Sequence, residues 1–191
     1  GIGLDGRIGS KFLHAGPGYG GSCFPKDTEA LVRSARDVGA PISIVEQVIE
    51  VNANRKEAMA QKIIDACEGD VSGKTVAVLG LTFKPNTDDM RDSPSLVIVP
   101  RLIEAVGMDE ARAIMEGPVW CSDAYDAMDG ADVVAIVTEW NEFRALDLAR
   151  AKELLKRPVM VDLRNIYRPE EMRESGFDYI SIGRASVTAT S

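Results

Sequence analysis

Histidine, cysteine, aromatic residues and positive charge are all scarce in this chain. Among 191 residues there is one histidine, His14, and there are three cysteines, Cys23, Cys67 and Cys121. A single imidazole excludes sites built on several histidines. A cysteine–histidine hydrolase would have to pair Cys23 with His14, nine residues earlier, and closeness in the chain does not supply the geometry such a dyad needs. Three widely spaced cysteines without a CxxC pair exclude a disulfide framework and a zinc ribbon, which fits a reducing cytoplasm and a protein without a metal. Lysine and arginine total 22 against 30 acidic residues, a net charge of -8, so nucleic acid and anionic membrane surfaces are poor partners. No apolar run reaches the roughly 18 residues of a membrane span, and the first residues lack the regions of a signal peptide. A soluble, unsecreted protein is expected.

What remains is a globular composition, 45% hydrophobic and 27% charged, able to bury a core. Residues 1–26 are rich in glycine and poor in helical periodicity, and read as a shaped loop. From Asp27 the spacing of Leu31, Val32 and Ala35 predicts a helix, with Gly39 and Pro41 marking a break. A second helix over 42–67 carries Ile44, Val45, Val48, Ile49, Asn52, Met59, Ile63 and Ile64 on or near one stripe. Its length suits a bridge between domains or a dimer seam, and its pattern equally suits a packed core helix. After the turn at 69–73 strands alternate with helices. Strands are predicted at 75–81, 119–121, 132–137, 159–163 and 178–182, with helices at 94–105, 123–128, 146–156 and 169–175. The fold class is therefore α/β: a long central helix followed by a doubly wound parallel sheet, divided into residues 1–68 and 69–191. A further helical pattern at 108–115 follows 94–105 with no strand between them, which breaks the alternation and points to missing sequence near Gly107.

The run from Gly16 to Gly21 formally satisfies GxGxxG. A dinucleotide fingerprint needs a strand before the glycines and a helix opening within them, and neither is predicted here. The glycines instead let backbone amides approach a ligand beside Cys23. Cys23 precedes a predicted helix start, where a thiolate is stabilised, so context supports an activated cysteine and a structural one alike. Cys67 and Cys121 end apolar segments and read as small buried hydrophobes. In a doubly wound sheet the loop 83–94, with Lys84 and Arg91, lies at a ligand position, as does Arg164 in Asp162-Leu-Arg-Asn165. These three cations give an acidic chain a basic pocket. The loop lacks the glycines of a Walker A motif. Trp140, after the third strand, reads as packing.

Three linked motifs carry a resemblance: Gly-Gly-Ser-Cys23-Phe-Pro-Lys-Asp27, Gly80-Leu-Thr-Phe-Lys84-Pro-Asn-Thr-Asp-Asp-Met-Arg91-Asp-Ser-Pro, and Asp162-Leu-Arg164-Asn. In order and approximate separation they resemble the second half of the UDP-glucose/GDP-mannose dehydrogenase family. The resemblance implies oxidation of UDP-glucose to UDP-glucuronate in two steps with NAD, Cys23 forming a thiohemiacetal and then a thioester, and Asp27 assisting water in its hydrolysis. It implies substrate contacts at Phe12, Leu13, His14, Ala15, Gly16, Gly20, Lys84 and Arg164, and cofactor contacts at Lys26 and Arg91. Arg7 would reach the substrate of the neighbouring subunit of a homodimer joined through the central helix. The family's N-terminal NAD-binding domain, and the residues there that work with the thiol, lie outside this sequence, so the chain alone is not expected to catalyse hydride transfer. The family also carries a strand where this chain runs from Val106 to Met108. Two rivals stay open: a non-catalytic module that binds a nucleotide sugar and dimerises, and a related dehydrogenase acting on GDP-mannose or a UDP-aminosugar.

Overall fold

A computed structural model describes residues 1–105 and 118–189. The predicted helix at 108–115 and the suspected break near Gly107 lie outside the described residues. Two short 3-10 turns, Ile2–Leu4 and Ser10–Leu13, lead into helix α1 (Phe24–Asp37) and the long helix α2 (Ser43–Ala66). Then follow β1 (Val76–Leu79), α3 (Ser95–Glu104), α4 (Ala124–Met128), β2 (Val133–Ile136), α5 (Asn141–Arg144), α6 (Leu148–Leu154), β3 (Val159–Asp162), α7 (Pro169–Glu174) and β4 (Asp178–Ser181). Among the described residues four strands pair in parallel in the order β1-β2-β3-β4.

Continuous burial along β2 and β3 reflects a sheet covered on both faces, the arrangement expected of apolar parallel strands. On one face Ala77, Leu79, Val134, Ile136, Met160 and Tyr179 pack with Met128, Phe143, Ala151 and Met172 from α4 to α7. On the other, Val133, Ala135, Val137, Val159 and Val161 pack with Ile98 and Leu102 of α3 and with Met59, Ala60, Ile63 and Ile64 of α2. Full burial stabilises each large side chain among these by about 1.5–3 kcal/mol.

Helix α2 thus divides lengthwise. Its second half is part of the core of the sheet, whereas in its first half Ile44 is 81% exposed and Val51 55%. The packed-helix reading holds for the second half, and the apolar residues of the first half lie exposed. Trp140 packs against the core, as its surroundings predicted.

Two expectations fail. Helix α1 begins at Phe24, with Pro25 in its first turn, so Cys23 itself caps the helix. The segment 119–121 is not a strand: Val119 and Trp120 are exposed, and Cys121 is exposed rather than buried. The capping of α4 decides the matter. The Asp123 carboxylate accepts from the amides of Tyr125 and Asp126, and Asp126 accepts in return from the Ser122 amide and hydroxyl. That reciprocal cap fixes the chain's entry into the helix and outweighs the weak strand preference of three residues. Cys67 is buried as expected, and burial pushes its thiol above the ordinary range. Among the described residues no helix is long and apolar enough to cross a membrane.

Candidate active site

The glycine-rich loop reaches the carboxyl ends of the strands because α2 holds it there. Asn52 accepts from the Tyr19 amide at 2.8 Å and donates to the Tyr19 carbonyl at 3.1 Å. One turn on, Arg55 Nε donates to the Gly16 carbonyl at 2.7 Å. The loop then lies against the segment that leaves β1: the Gly21 amide donates to the Arg91 carbonyl at 2.7 Å, and a Cβ at Gly20 would sit 2.8 Å from the Asp92 carbonyl carbon. Gly21, at φ +88, leaves room for the Phe83 ring. Glycine is required at these two positions by close approach, and at Gly21 also by the left-handed backbone.

Cys23 is exposed at the first turn of α1, where its carbonyl accepts from the Asp27 amide at 2.8 Å and its Sγ lies 3.7 Å from Ser22 Oγ. Free amides at a helix start favour negative charge on a neighbouring sulfur. Asp27, four residues on, is exposed and 3.3 Å from Lys26 Nζ. Tyr19 packs edge-on against Phe24, with ring centroids 4.6 Å apart, and steadies the loop on either side of the thiol.

The loop after β1 is shaped by its own polar groups. Ser93 and Ser95 both donate to the Leu81 carbonyl, at 2.6 and 2.5 Å, and Thr138 donates to the Thr82 carbonyl at 2.5 Å. Arg91 makes two bonds to Asp89, 2.9 and 2.7 Å long, which lower the Asp89 carboxyl to about 2. The same pair holds the guanidinium charged. Lys84 is exposed, its Nζ 5.1 Å from the centre of the Phe83 ring.

Arg164 follows β3 in a turn organised by Asp162. That fully buried carboxylate accepts from the amides of Arg164, Ile166 and Tyr167 and from the Tyr179 hydroxyl, at 2.7 to 3.1 Å. Asn165, at φ 53, closes the turn by bonding both the amide and the carbonyl of Ile182. The guanidinium donates to Glu139, three residues beyond β2, and lies against Gly16. Glu139 Oε2 is buried with no partner among the described residues.

Gly16, Gly20, Cys23, Arg91 and Arg164 are therefore brought to one cleft. The predicted basic pocket is largely compensated, since Arg91 faces Asp89 and Arg164 faces Glu139. Arg7 stands apart, 90% exposed in its side chain and paired with Asp5, and Phe12, Leu13 and His14 are exposed. Sequence reasoning missed Arg55, Lys56 and Glu139 altogether, and took Asn52 for part of an apolar stripe. The available signal was a polar pair, Asn52 and Lys56, one turn apart on that stripe.

Fold and cleft together define a Rossmann-like α/β unit joined by a long helix to a smaller helical unit that carries a thiol. Residues 77–169 match the model of the UDP binding domain of the UDP-glucose/GDP-mannose dehydrogenase family, and residues 1–54 match that of its central domain. The chain belongs to this family. It is 58% identical to the UDP-glucose 6-dehydrogenase of Rhizobium meliloti, over 96% of this chain and 44% of that protein. It is 44% identical to UDP-glucose 6-dehydrogenase TuaD of Bacillus subtilis, over 100% of this chain and 43% of that protein. Among solved structures, a UDP-glucose dehydrogenase from Pyrobaculum islandicum superposes with a TM-score of 0.72 at 33% identity, covering 95% of this chain and 41% of that one. The chain thus spans less than half the length of the relatives it matches.

Proposed function

We propose that this chain is the thiol-bearing and nucleotide-sugar-binding part of an NAD-dependent dehydrogenase that oxidises UDP-glucose to UDP-glucuronate. The observation that carries the reading is the meeting, in one cleft, of the Cys23 loop, the loop after β1 and Arg164. Residues 1–68 form the cysteine loop and helical unit, and 69–191 the UDP-binding unit, with α2 shared between them.

In this reading Arg164 and Lys84 grip the diphosphate, and the loop through Phe12, Leu13, His14, Ala15, Gly16 and Gly20 encloses the sugar and nucleotide. Cys23 Sγ attacks the C6 aldehyde to give a thiohemiacetal, and after the second oxidation it is displaced from the thioester by water. Asp27, one helical turn beyond, takes the proton of that water. Each of the two oxidations releases one hydride, so two NAD molecules bound in succession would supply the acceptors. Lys26 is an exposed cation three residues after the thiol, and Arg91 an exposed cation in the segment bonded to Gly21, which fits contact with an anionic cofactor. The glycines at 16–21 do not supply its fold, because a 3-10 turn rather than a strand precedes them. The reading calls for no metal.

The exposed apolar face of α2, Ile44, Val48 and Val51 beside Tyr19, supports a homodimer through this helix. Arg7 would reach the partner's substrate. A cytoplasmic location follows from the substrate and from free, reduced cysteines.

The test is Cys23→Ser in the full-length enzyme. Turnover of UDP-glucose is expected to fall roughly a thousandfold or more with the fold retained, whereas full activity sinks the thiol mechanism. Running wild-type enzyme on UDP-glucose, GDP-mannose and a UDP-aminosugar side by side decides the sugar.

A further inference from the structure

Lys56 lies mid-way along α2 with 8% of its surface exposed, a rare degree of burial for a lysine. Its stem fills the space beneath the glycine loop: a side chain starting at Gly18 would meet Lys56 Cγ at 3.1 Å and Cε at 3.5 Å. Its ammonium donates to the Asp92 carbonyl at 3.0 Å, in the segment that leaves β1. Burial makes this lysine harder to protonate, and the Asp92 carboxylate only partly offsets the effect. A buried ammonium is a costly means of filling space, so its place calls for a role that methionine or leucine would not serve.

That role follows from what the Asp92 carbonyl adjoins. Asp92 is held at φ 50, and its neighbour Arg91 gives its carbonyl to the Gly21 amide, two residues before the thiol. Gly20 runs between these two contacts with no room for a Cβ. Asn52 and Arg55, on adjoining turns of the same helix, hold Tyr19 and Gly16. One helix face therefore grips the thiol loop at two points and the opposing loop at a third.

We propose that Lys56 is a positioning residue, which fixes the Arg91–Asp92 backbone against the Cys23 loop and thereby places the Arg91 guanidinium beside the thiol. The kinetic part of its test rests on the dehydrogenase reading above, and the chemical part does not.

In the full-length enzyme, the rates at which iodoacetate and iodoacetamide alkylate Cys23 are compared. Both depend alike on the thiolate fraction, so their ratio reports positive charge beside the sulfur. Lys56→Met is expected to lower this ratio about threefold, as far as Arg91→Ala does, with no further loss in the double variant, and Lys56→Arg is expected to restore it. The KM for NAD should rise about tenfold while that for UDP-glucose moves less than threefold. An unchanged ratio in a folded Lys56→Met protein overturns the proposal, and so does a drop that adds to that of Arg91→Ala. Should Lys56→Met fail to fold, Gly20→Ala displaces the Asp92 carbonyl from the opposite side and must lower the same ratio. A wild-type enzyme inactive on UDP-glucose would overturn the dehydrogenase reading while the alkylation ratio still decided the role of Lys56.

Discussion

The Arg164 guanidinium occupies the space where a side chain at Gly16 would begin: a Cβ there would lie 2.6 Å from Nη1. Gly16 has an ordinary backbone, so a substitution would meet no conformational strain, only the guanidinium, which Glu139 restrains from the other side. Gly16→Ala should therefore weaken UDP binding roughly tenfold while changing stability by less than about 1 kcal/mol. Calorimetric titration with UDP, beside a urea melt of the same variant, checks both halves.

Asp162 is the second point of leverage on Arg164. Its carboxylate is fully buried and depends on the Tyr179 hydroxyl, 2.7 Å away, for one of its four donors. Tyr179→Phe should cost about 1.5–3 kcal/mol, because a buried anion loses a hydrogen bond. A variant as stable as wild type in urea would mean that the turn is held by its amides alone.

Alkaline pH should destabilise the protein through its buried phenols. Burial raises Tyr167 to about 12, from an ordinary value of 10.0, and Tyr179 shifts upward for the same reason. The unfolded chain releases these protons first, so the stabilisation is complete below 10.0 and is lost as pH rises through the folded value. Urea midpoints measured from pH 8 to 11 should fall, and should fall less steeply in Tyr167→Phe.

The Arg91–Asp89 pair behaves in the opposite sense. Asp89 is depressed from 3.8 to about 2, so its contribution to loop order is present above 3.8 and disappears as pH falls through the folded value. In Arg91→Ala the Asp89 carboxyl should rise toward the ordinary range but stay below it, because the amide of residue 91 still donates to it, and carboxyl-resolved NMR titration would show the rise directly. A value still near 2 would assign the shift to the backbone instead.

Cutting the chain at the boundary read from sequence should fail. Residues 69–191 without α2 would expose Val133, Ala135, Val137, Val159 and Val161 on one face of the sheet. That fragment should be insoluble or bind a hydrophobic dye, whereas one starting near residue 43 should remain folded.

Much of this was legible in the sequence, and the exceptions have physical causes. The strands β1 to β4 and helices α1, α2, α3, α4, α6 and α7 follow from unbroken apolar runs and helical spacing. The short helix α5 (Asn141–Arg144) and the non-strand at 119–121 do not, because four or three residues carry too little pattern, and at 119–121 the cap at Asp123 outweighs it. The motifs around Cys23, Lys84, Arg91 and Arg164 identified the elements that line the cleft. The groups that hold those elements together left almost no trace. Asn52, Arg55 and Lys56 look like the polar residues of any helix, and Glu139 like a surface acid, until the fold turns them toward backbone carbonyls and a half-buried guanidinium. A linear pattern records which face a residue shares along a helix, but not what arrives on that face from 33 to 39 residues away.

The division of α2 also constrains how the chain can change in length. Because each helical residue adds about 100° of rotation, one residue inserted between Lys56 and Met59 would swing Asn52, Arg55 and Lys56 away from the loops they hold while Met59, Ile63 and Ile64 stayed in the core. Insertions and deletions are thus forbidden along this stretch of helix, although nearly every residue that lines the cleft lies elsewhere in the chain.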